Sequence, residues 1–376
     1  MWIWQQSDWP GLGKVRGNEF RYDQSVIAPR LRHLHFMMGI VVGRMDYLEG
    51  ESTAFDTLFA KIVSASEVVG RGVDQDNLRS ALRSHLNVCS KSHLTDPMSE
   101  GQALAYLDIQ RNLDCGLTID RLNQWNIWLC AARPSMLSRN LGGKRRFDEH
   151  RLHVHIKVPS MPADHELKLR VPPASQLACE LNTFIDWFNN SMDDQSLDPI
   201  IRAGIAHLWF LVLQPFHSEN IRTALLLTEL ALAQAQPKSI RFYAVSTAIA
   251  KDLMSYYKMM EHSLQGTTDI THWLIGFLDL LKSALDGVLE DVELLQRRVV
   301  FWRSIDKALL SIEQVQFIDS LIDGNFPGGI SAKEYAEFQS VSFATATRHL
   351  THFLKIGCLV RSESGGRSTR YFIRQT

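Results

Sequence analysis

The sequence predicts a mainly α-helical protein that carries one β-hairpin and ends in a small module of two helices and two short strands. Three observations lead there. Apolar residues recur at steps of three and four along most of the 376 residues, the period of a helix with one buried face. The clearest alternation of apolar with polar residues falls in one region, between Val154 and Val171. Near the end, Ser342 opens a helical run that Gly357 closes, and strand-like runs follow it on either side of a glycine-rich basic stretch.

Taken in order, an aromatic arm of Trp2, Trp4 and Trp9-Pro10 precedes a helix whose stripe is Ile27, Leu31, Leu34, Met38, Ile40 and Val41. Phe59 to Val69 reads as helix and stops at Gly70-Arg71-Gly72. Glu100 to Leu129 holds two more helices, the second opening at Leu117-Thr118-Ile119-Asp120 with Leu122, Trp125 and Leu129 on one face. Gly142-Gly143-Lys144-Arg145-Arg146 breaks the pattern. In the hairpin, Val154, Ile156 and Val158 alternate with His155 and Lys157, and Leu167, Leu169 and Val171 alternate with Lys168 and Arg170, across a turn holding Pro159, Ser160, Pro162 and Asp164. Two strands alone are marginal, so they are expected to lie on helices. Leu177 to Phe188 is a helix with Leu181, Phe184, Ile185 and Phe188 inward, and Pro199 opens the next at a position that tolerates proline. Because Ile205, Leu208, Trp209, Val212 and Leu213 make that helix apolar nearly all round, it should be the buried centre of the core. Thr223 to Ala235 continues as helix, and residues 283 to 310 read as one long helix from Leu285 to Leu309. The tail begins near Ser311 and passes through Gly328-Gly329-Ile330. A helix from Ser331 to Phe338, a turn, the Ser342 helix, and the strands Cys358 to Arg361 and Tyr371 to Arg374 around Gly365-Gly366-Arg367-Ser368 then follow. That order is similar to a winged helix-turn-helix.

Composition sets the class. A chain of this length with 45% hydrophobic residues buries a full core and divides into two or three domains. Met1 leads straight into aromatic residues rather than a basic and then apolar leader, and no run reaches the roughly 18 apolar residues of a membrane span. A cytoplasmic protein without a membrane partner is the expectation. The five cysteines, Cys89, Cys115, Cys130, Cys179 and Cys358, form no CxxC pair and are read as reduced thiols. The net charge of −1 hides a gradient, since Ser331 to Thr376 carries seven Lys or Arg against three acids, a net of +4. Such a module is either a nucleic-acid-binding appendage or a solvated face.

One stretch organises the chain: the apolar helix ends at Gln214-Pro215-Phe216-His217-Ser218-Glu219-Asn220-Ile221-Arg222. It resembles the signature of Fic-domain (Fic/DOC) proteins, which mostly transfer AMP from ATP to side-chain hydroxyls and read His-Pro-Phe-x-Asp/Glu-Gly-Asn-Gly/Lys-Arg. The resemblance extends to the Trp-rich N-terminal arm, to Tyr243, Ser246, Tyr256 and Tyr257, and to Asp269-Ile270-Thr271-His272-Trp273. It implies a Fic-type helical core with a β-hairpin flap, divided as residues 1–95 (N-terminal helical domain), 96–300 (core) and 301–376 (winged helix). It implies that the hairpin residues Val154, Ile156, Val158, Leu167 and Leu169 form the flap that holds a target peptide, unless they only cap the core. It also implies an inhibitory glutamate where this chain has Val69, with Glu67 two residues away.

The chemistry of the signature is altered at several positions together. AMP transfer needs a base, a metal and a pocket for developing negative charge. Gln214 stands where the histidine is expected, and an amide has no basic nitrogen near neutral pH. Losing a positioned base costs about 10²- to 10⁴-fold. Ser218 replaces the metal-binding acid with a weak neutral ligand. Glu219 puts negative charge where phosphates belong, and Ile221 stiffens the backbone that should wrap them. Asn220 and Arg222 remain as nucleotide contacts of a weak site, or as a helix N-cap and an ion-paired arginine. Two rescues are conceivable: His217 as substitute base, or Glu219 as shifted metal ligand. His207, inside the apolar helix, reads as a hydrogen-bonded core residue. No cofactor is expected; ATP and Mg²⁺ enter only if transfer survives.

The expected function is therefore that of a catalytically degenerate protein that binds DNA through residues 331–376 as a transcriptional regulator, with the larger part as a homodimeric or ligand-sensing body. Ser342, Ala344, Thr345, Thr347 and Arg348 would meet the major groove, and Arg367 and Arg370 the backbone or minor groove. The alternatives are residual AMP transfer to protein hydroxyls and a scaffold that partners another Fic protein.

Overall fold

The computed structural model describes residues 1–9, 20–48, 51–86, 95–131, 141–148, 153–159, 161, 166–236, 244–362 and 369–374, with the backbone alone at 45–48 and 51–54. Pro10, Cys89, Ser160, Pro162, Asp164, Tyr243 and the Gly365 to Ser368 stretch with Arg367 lie outside the described residues. The chain forms two compact units, Met1–Val288 and Leu289–Thr376.

The first unit is helical with one hairpin. Its helices are α1 (Gln24–Leu48), α2 (Glu51–Val68), α3 (Gln75–His85), α4 (Pro97–Arg111) and α5 (Ile119–Cys130). Then come strands β1 (His153–Lys157) and β2 (Glu166–Arg170) and helices α6 (Ala174–Asn190), α7 (Pro199–Leu213), α8 (Asn220–Ala235), α9 (Val245–Lys251) and α10 (Leu253–Leu264). α11 (Thr271–Arg303) begins in this unit and ends in the second.

α7 and α8 are the centre: every residue of α7 from Ile200 to Leu213 is buried, as is α8 from Asn220 to Ala233. α6 and α10 pack on α7, and α2, α4 and α5 pack on α8. Caps place the helix starts. Asp198 accepts the Ile200 N–H before the Pro199 turn, Asp96 caps α4, and Thr118 caps α5. At Gly204 a Cβ would meet the Phe277 ring at 3.0 Å, so α11 approaches α7 there because the residue has none. Trp273 Nε1–H donates to the Gly204 carbonyl at 2.8 Å in the same contact.

The aromatic arm is pinned to this core. Trp9 and Phe20 meet Trp209 edge-on at 6.0 and 5.9 Å, and Trp4 Nε1–H donates to the Arg170 carbonyl on β2. β1 and β2 pair antiparallel with Val154 opposite Leu169 and Ile156 opposite Leu167; Leu167 and Leu169 are buried, and Val158 falls just beyond the strand.

The second unit contains the end of α11, then α12 (Ile312–Ile322), α13 (Ala332–Gln339), α14 (Phe343–Lys355) and the antiparallel pair β3 (Leu359–Arg361) and β4 (Tyr371–Ile373). Phe317, Tyr335, Ala346, Leu350, Phe353 and Cys358 form its core. A long helix over 283–310 is corrected here: it starts at Thr271 and stops at Arg303, because the Asp306 carboxylate accepts the Ala308 N–H and sets a 3-10 turn. α12 carries a capping box, Ser311 with Gln314, in a region read only as tail.

Candidate functional site

The site is the loop joining α7 to α8. α7 ends because Gln214 turns left-handed, with φ 42° and ψ 56°. Glu219, the residue before α8, is left-handed too, at φ 66° and ψ 16°. For residues with a Cβ this conformation costs roughly 1–2 kcal/mol each, so the surroundings must hold it.

Several side chains do so. The Asn220 amide closes the loop on itself, its Oδ1 accepting the Phe216 N–H at 3.0 Å and its Nδ2 donating to the Phe216 carbonyl at 2.9 Å. Asn220 is thus the first residue of α8 rather than its N-cap, the cap position being Glu219. Asn126 on α5 donates to the Ser218 carbonyl at 2.9 Å and accepts the Gly143 N–H at 2.9 Å. The Ser218 hydroxyl lies 3.5 Å from Cys130 Sγ. Arg146, buried, donates from Nε to the Gln214 carbonyl at 2.7 Å and from Nη2 to the Leu213 and Pro172 carbonyls at 3.1 and 3.0 Å. Its own N–H donates to Pro215. A guanidinium here satisfies the carbonyls at the negative end of α7.

The charged centre is Glu219. Its Oε2 accepts from Arg222 Nε at 2.7 Å, and its Oε1 lies 3.4 Å from Arg71 Nη2. The Glu219 and Arg222 side chains are each 2% exposed. Arg222 Nη2 also donates to the Leu129 carbonyl at 3.0 Å, while Arg222 Nη1 and Gln214 Nε2 are buried with no hydrogen-bond partner among the described residues. Behind them, Lys61 on α2 and Glu229 on α8 make a buried pair at 2.7 Å. Burial raises the Glu229 carboxyl and the Lys61 charge opposes that shift; Tyr106 is raised by burial and then by the Glu229 charge.

The sequence-predicted residues fall as follows. Gln214, Pro215, Phe216, Ser218, Glu219, Asn220, Ile221 and Arg222 form this one loop and the start of α8. His217 is half-buried and meets the exposed Phe147 ring edge-on, at 5.1 Å between centroids. Val69 lies just past the end of α2, half-buried, and Glu67 is exposed. His207 shares hydrogen bonds with Thr228 and Tyr256 at 2.8 Å each, and burial pushes it down to about 3, so it is a neutral core residue. In the second unit, Ser342 caps α14, and Ala344, Thr347 and Arg348 are exposed while Thr345 is half-buried. Arg370 is engaged inside the unit, with Glu334 at 3.2 Å and the Gly329 carbonyl at 2.8 Å.

Arg71, Asn126, Cys130 and Arg146 belong to the site and were not singled out from sequence. Three of them had a faint signal. Arg146 ends the basic run after two glycines, Arg71 follows the helix-stopping Gly70, and Asn126 is a polar residue on the buried face of α5.

Among the described residues no group of three or more His, Cys, Asp or Glu side chains is placed to hold a metal ion. Glu219 is the residue before α8, and its carboxylate pairs with the arginines rather than capping the first turn of the helix. Among the described residues no helix is long and apolar enough to cross a membrane.

Residues 118–232 match the Fic/DOC family, and residues 2–88 match a domain of unknown function, DUF4172. No curated protein matches the chain. Among solved structures, a Fic family protein from Desulfovibrio desulfuricans G20 is similar at a TM-score of 0.53 and 14% identity, over 93% of this chain and 97% of that one. A Fic domain containing signaling protein from Bacteroides thetaiotaomicron VPI-5482 is similar at a TM-score of 0.50 and 12% identity, over 68% of this chain and 97% of that one. At such identities the likeness concerns the fold.

Proposed function

We propose that this chain, a Fic/DOC family protein with an N-terminal DUF4172 domain, is a catalytically degenerate member that acts as a DNA-binding regulator through a C-terminal winged helix. The observation that carries the degenerate half is Glu219. Its carboxylate lies at the N-terminus of α8, neutralised by Arg222 at 2.7 Å and faced by Arg71 at 3.4 Å, in the place the family resemblance gives to phosphates. An incoming ATP phosphate would meet a like charge, and the arginine that should grip it is already paired. Gln214 supplies no base and Ser218 no anionic metal ligand. The restraint that the family's inhibitory glutamate would apply from the N-terminal domain, at the position of Val69, is unnecessary here.

The DNA-binding half is supported by the order of α13, a turn, α14 and an antiparallel hairpin, and by the absence of acids from Gln339 to Ser362, a stretch that holds Arg348, Lys355 and Arg361. α14 begins cleanly, with the Ser342 hydroxyl accepting the Thr345 N–H at 3.2 Å. The Met1–Val288 unit then serves as a dimerisation or ligand-sensing body.

Two measurements test this reading. In a mobility-shift assay the full chain should bind duplex DNA in a salt-sensitive way, and Arg348→Ala should weaken binding roughly 5- to 150-fold at its cognate site. Calorimetry with ATP or ADP, with and without Mg²⁺, should give no tight binding. Salt-independent or absent DNA binding sinks the regulatory half, and tight Mg²⁺-dependent ATP binding sinks the degenerate half.

A further inference from the structure

The exposed face of α14 is built of methyl groups and one aromatic ring beside two cations, Arg348 and Lys355. Phe343, the first residue of the helix, is 63% exposed. The Thr347 hydroxyl donates to the Phe343 carbonyl at 2.9 Å, and the Thr351 hydroxyl donates to the Thr347 carbonyl at 2.8 Å. A helical threonine bonded back to the carbonyl one turn earlier turns its hydroxyl toward the backbone and its γ-methyl away from it. Thr345 is likewise occupied, its hydroxyl 2.9 Å from Ser342 Oγ. The hydroxyl protons of Thr347 and Thr351 are thus spent on their own helix. The exposed residues of this face are Phe343, Ala344, Thr347 and Thr351 beside Arg348 and Lys355, which offer a ring and methyl groups between the two cations.

We propose that this face reads thymine C5-methyl groups in a DNA major groove, with Arg348 fixing one guanine next to them. The inference rests on the DNA-binding reading above and deepens it by naming the bases. Thymine alone presents a methyl in the major groove, and alanine, threonine methyl and phenylalanine are the side chains that pack on it. Arginine is the side chain that pairs guanine O6 and N7. The surround fits a polyanion, since no acid occurs from Gln339 to Ser362 while Arg348, Lys355 and Arg361 do. The half-site is therefore thymine-rich under Phe343 and Thr347, and its discrimination is apolar rather than carried by hydroxyls donating to base acceptors.

The test uses the full chain and a duplex that it selects from a random-sequence pool. Replacing each thymine by deoxyuridine removes only the methyl, leaving pairing and backbone charge untouched. Wild type should lose about fourfold in affinity at each read thymine, the loss expected for one methyl-sized apolar group. Thr347→Ser, which keeps the hydroxyl and removes the methyl, and Phe343→Ala should each abolish that preference at one position, whereas Arg348→Ala should weaken binding and retain it. Equal affinity for thymine and deoxyuridine duplexes, with salt-sensitive binding intact, overturns the methyl reading and leaves DNA binding standing. Failure to bind any duplex overturns both and points instead to a protein partner for this face.

Discussion

At the scale of single residues, Glu219 is where conformation and charge oppose each other. At φ 66° a glycine would relieve roughly 1–2 kcal/mol of backbone strain. Removing the carboxylate leaves Arg222 charged and 2% exposed, a loss of about 3–5 kcal/mol for breaking a buried pair. The second effect is larger, so Glu219→Gly should lower the melting temperature. Because it also frees a helix N-terminus flanked by two arginines, added sulfate or phosphate should restore part of that stability. A variant whose melting ignores both anions would show that Glu219 occupies no anion site. His207 makes a second prediction. Burial holds it at about 3 against an ordinary 6.5, so the folded protein resists a proton that the unfolded chain accepts. Its contribution to stability is complete above about pH 6.5 and is lost as the pH falls toward 3. Between pH 7 and pH 5 the loss is roughly 2 kcal/mol, to be seen as a steeper acid decline in urea unfolding for wild type than for His207→Gln.

At the scale of elements, periodicity and caps were the legible signals. The Thr118 start of α5, the Pro199 start of α7 and the Ser342 start of α14 are all readable, since each cap answers a local hydrogen-bonding need. The hairpin register follows from the alternation that buries Leu167 and Leu169. The end of α11 at Arg303 was not legible, because the apolar stripe runs on to Leu309 while the Asp306 carboxylate draws the backbone into a 3-10 turn. Ser342→Ala should cost the second unit about 1 kcal/mol in urea unfolding, the usual loss of a helix cap. A change within error would mean that the Ser342 to Thr345 bond adds nothing to α14.

At the scale of the whole molecule, the two units carry separate cores. Phe317 is fully buried in the second, with ring centroids 4.6 Å from Tyr335 and 5.9 Å from Phe353. Phe317→Ala should destabilise that unit by about 3–5 kcal/mol and leave the Met1–Val288 unit intact. Calorimetry should then show one transition displaced and another unmoved; a single shifted transition would sink the idea of separate cores. By itself the sequence determined the helical class, the α7 to α8 frame and the residue types at the signature, because periodicity, caps and chemical identity are local properties. The tertiary structure decided which charges meet. Arg71, Asn126 and Arg146 come from distant parts of the chain, and it takes the packing of α2 and α5 on α8, with the pairing of Arg145 and Arg146 against Phe216 and Pro215, to make the loop a closed and neutralised one. The Glu219 to Arg222 pair was within reach of sequence spacing, but its burial was not, since solvent exclusion belongs to the assembled core.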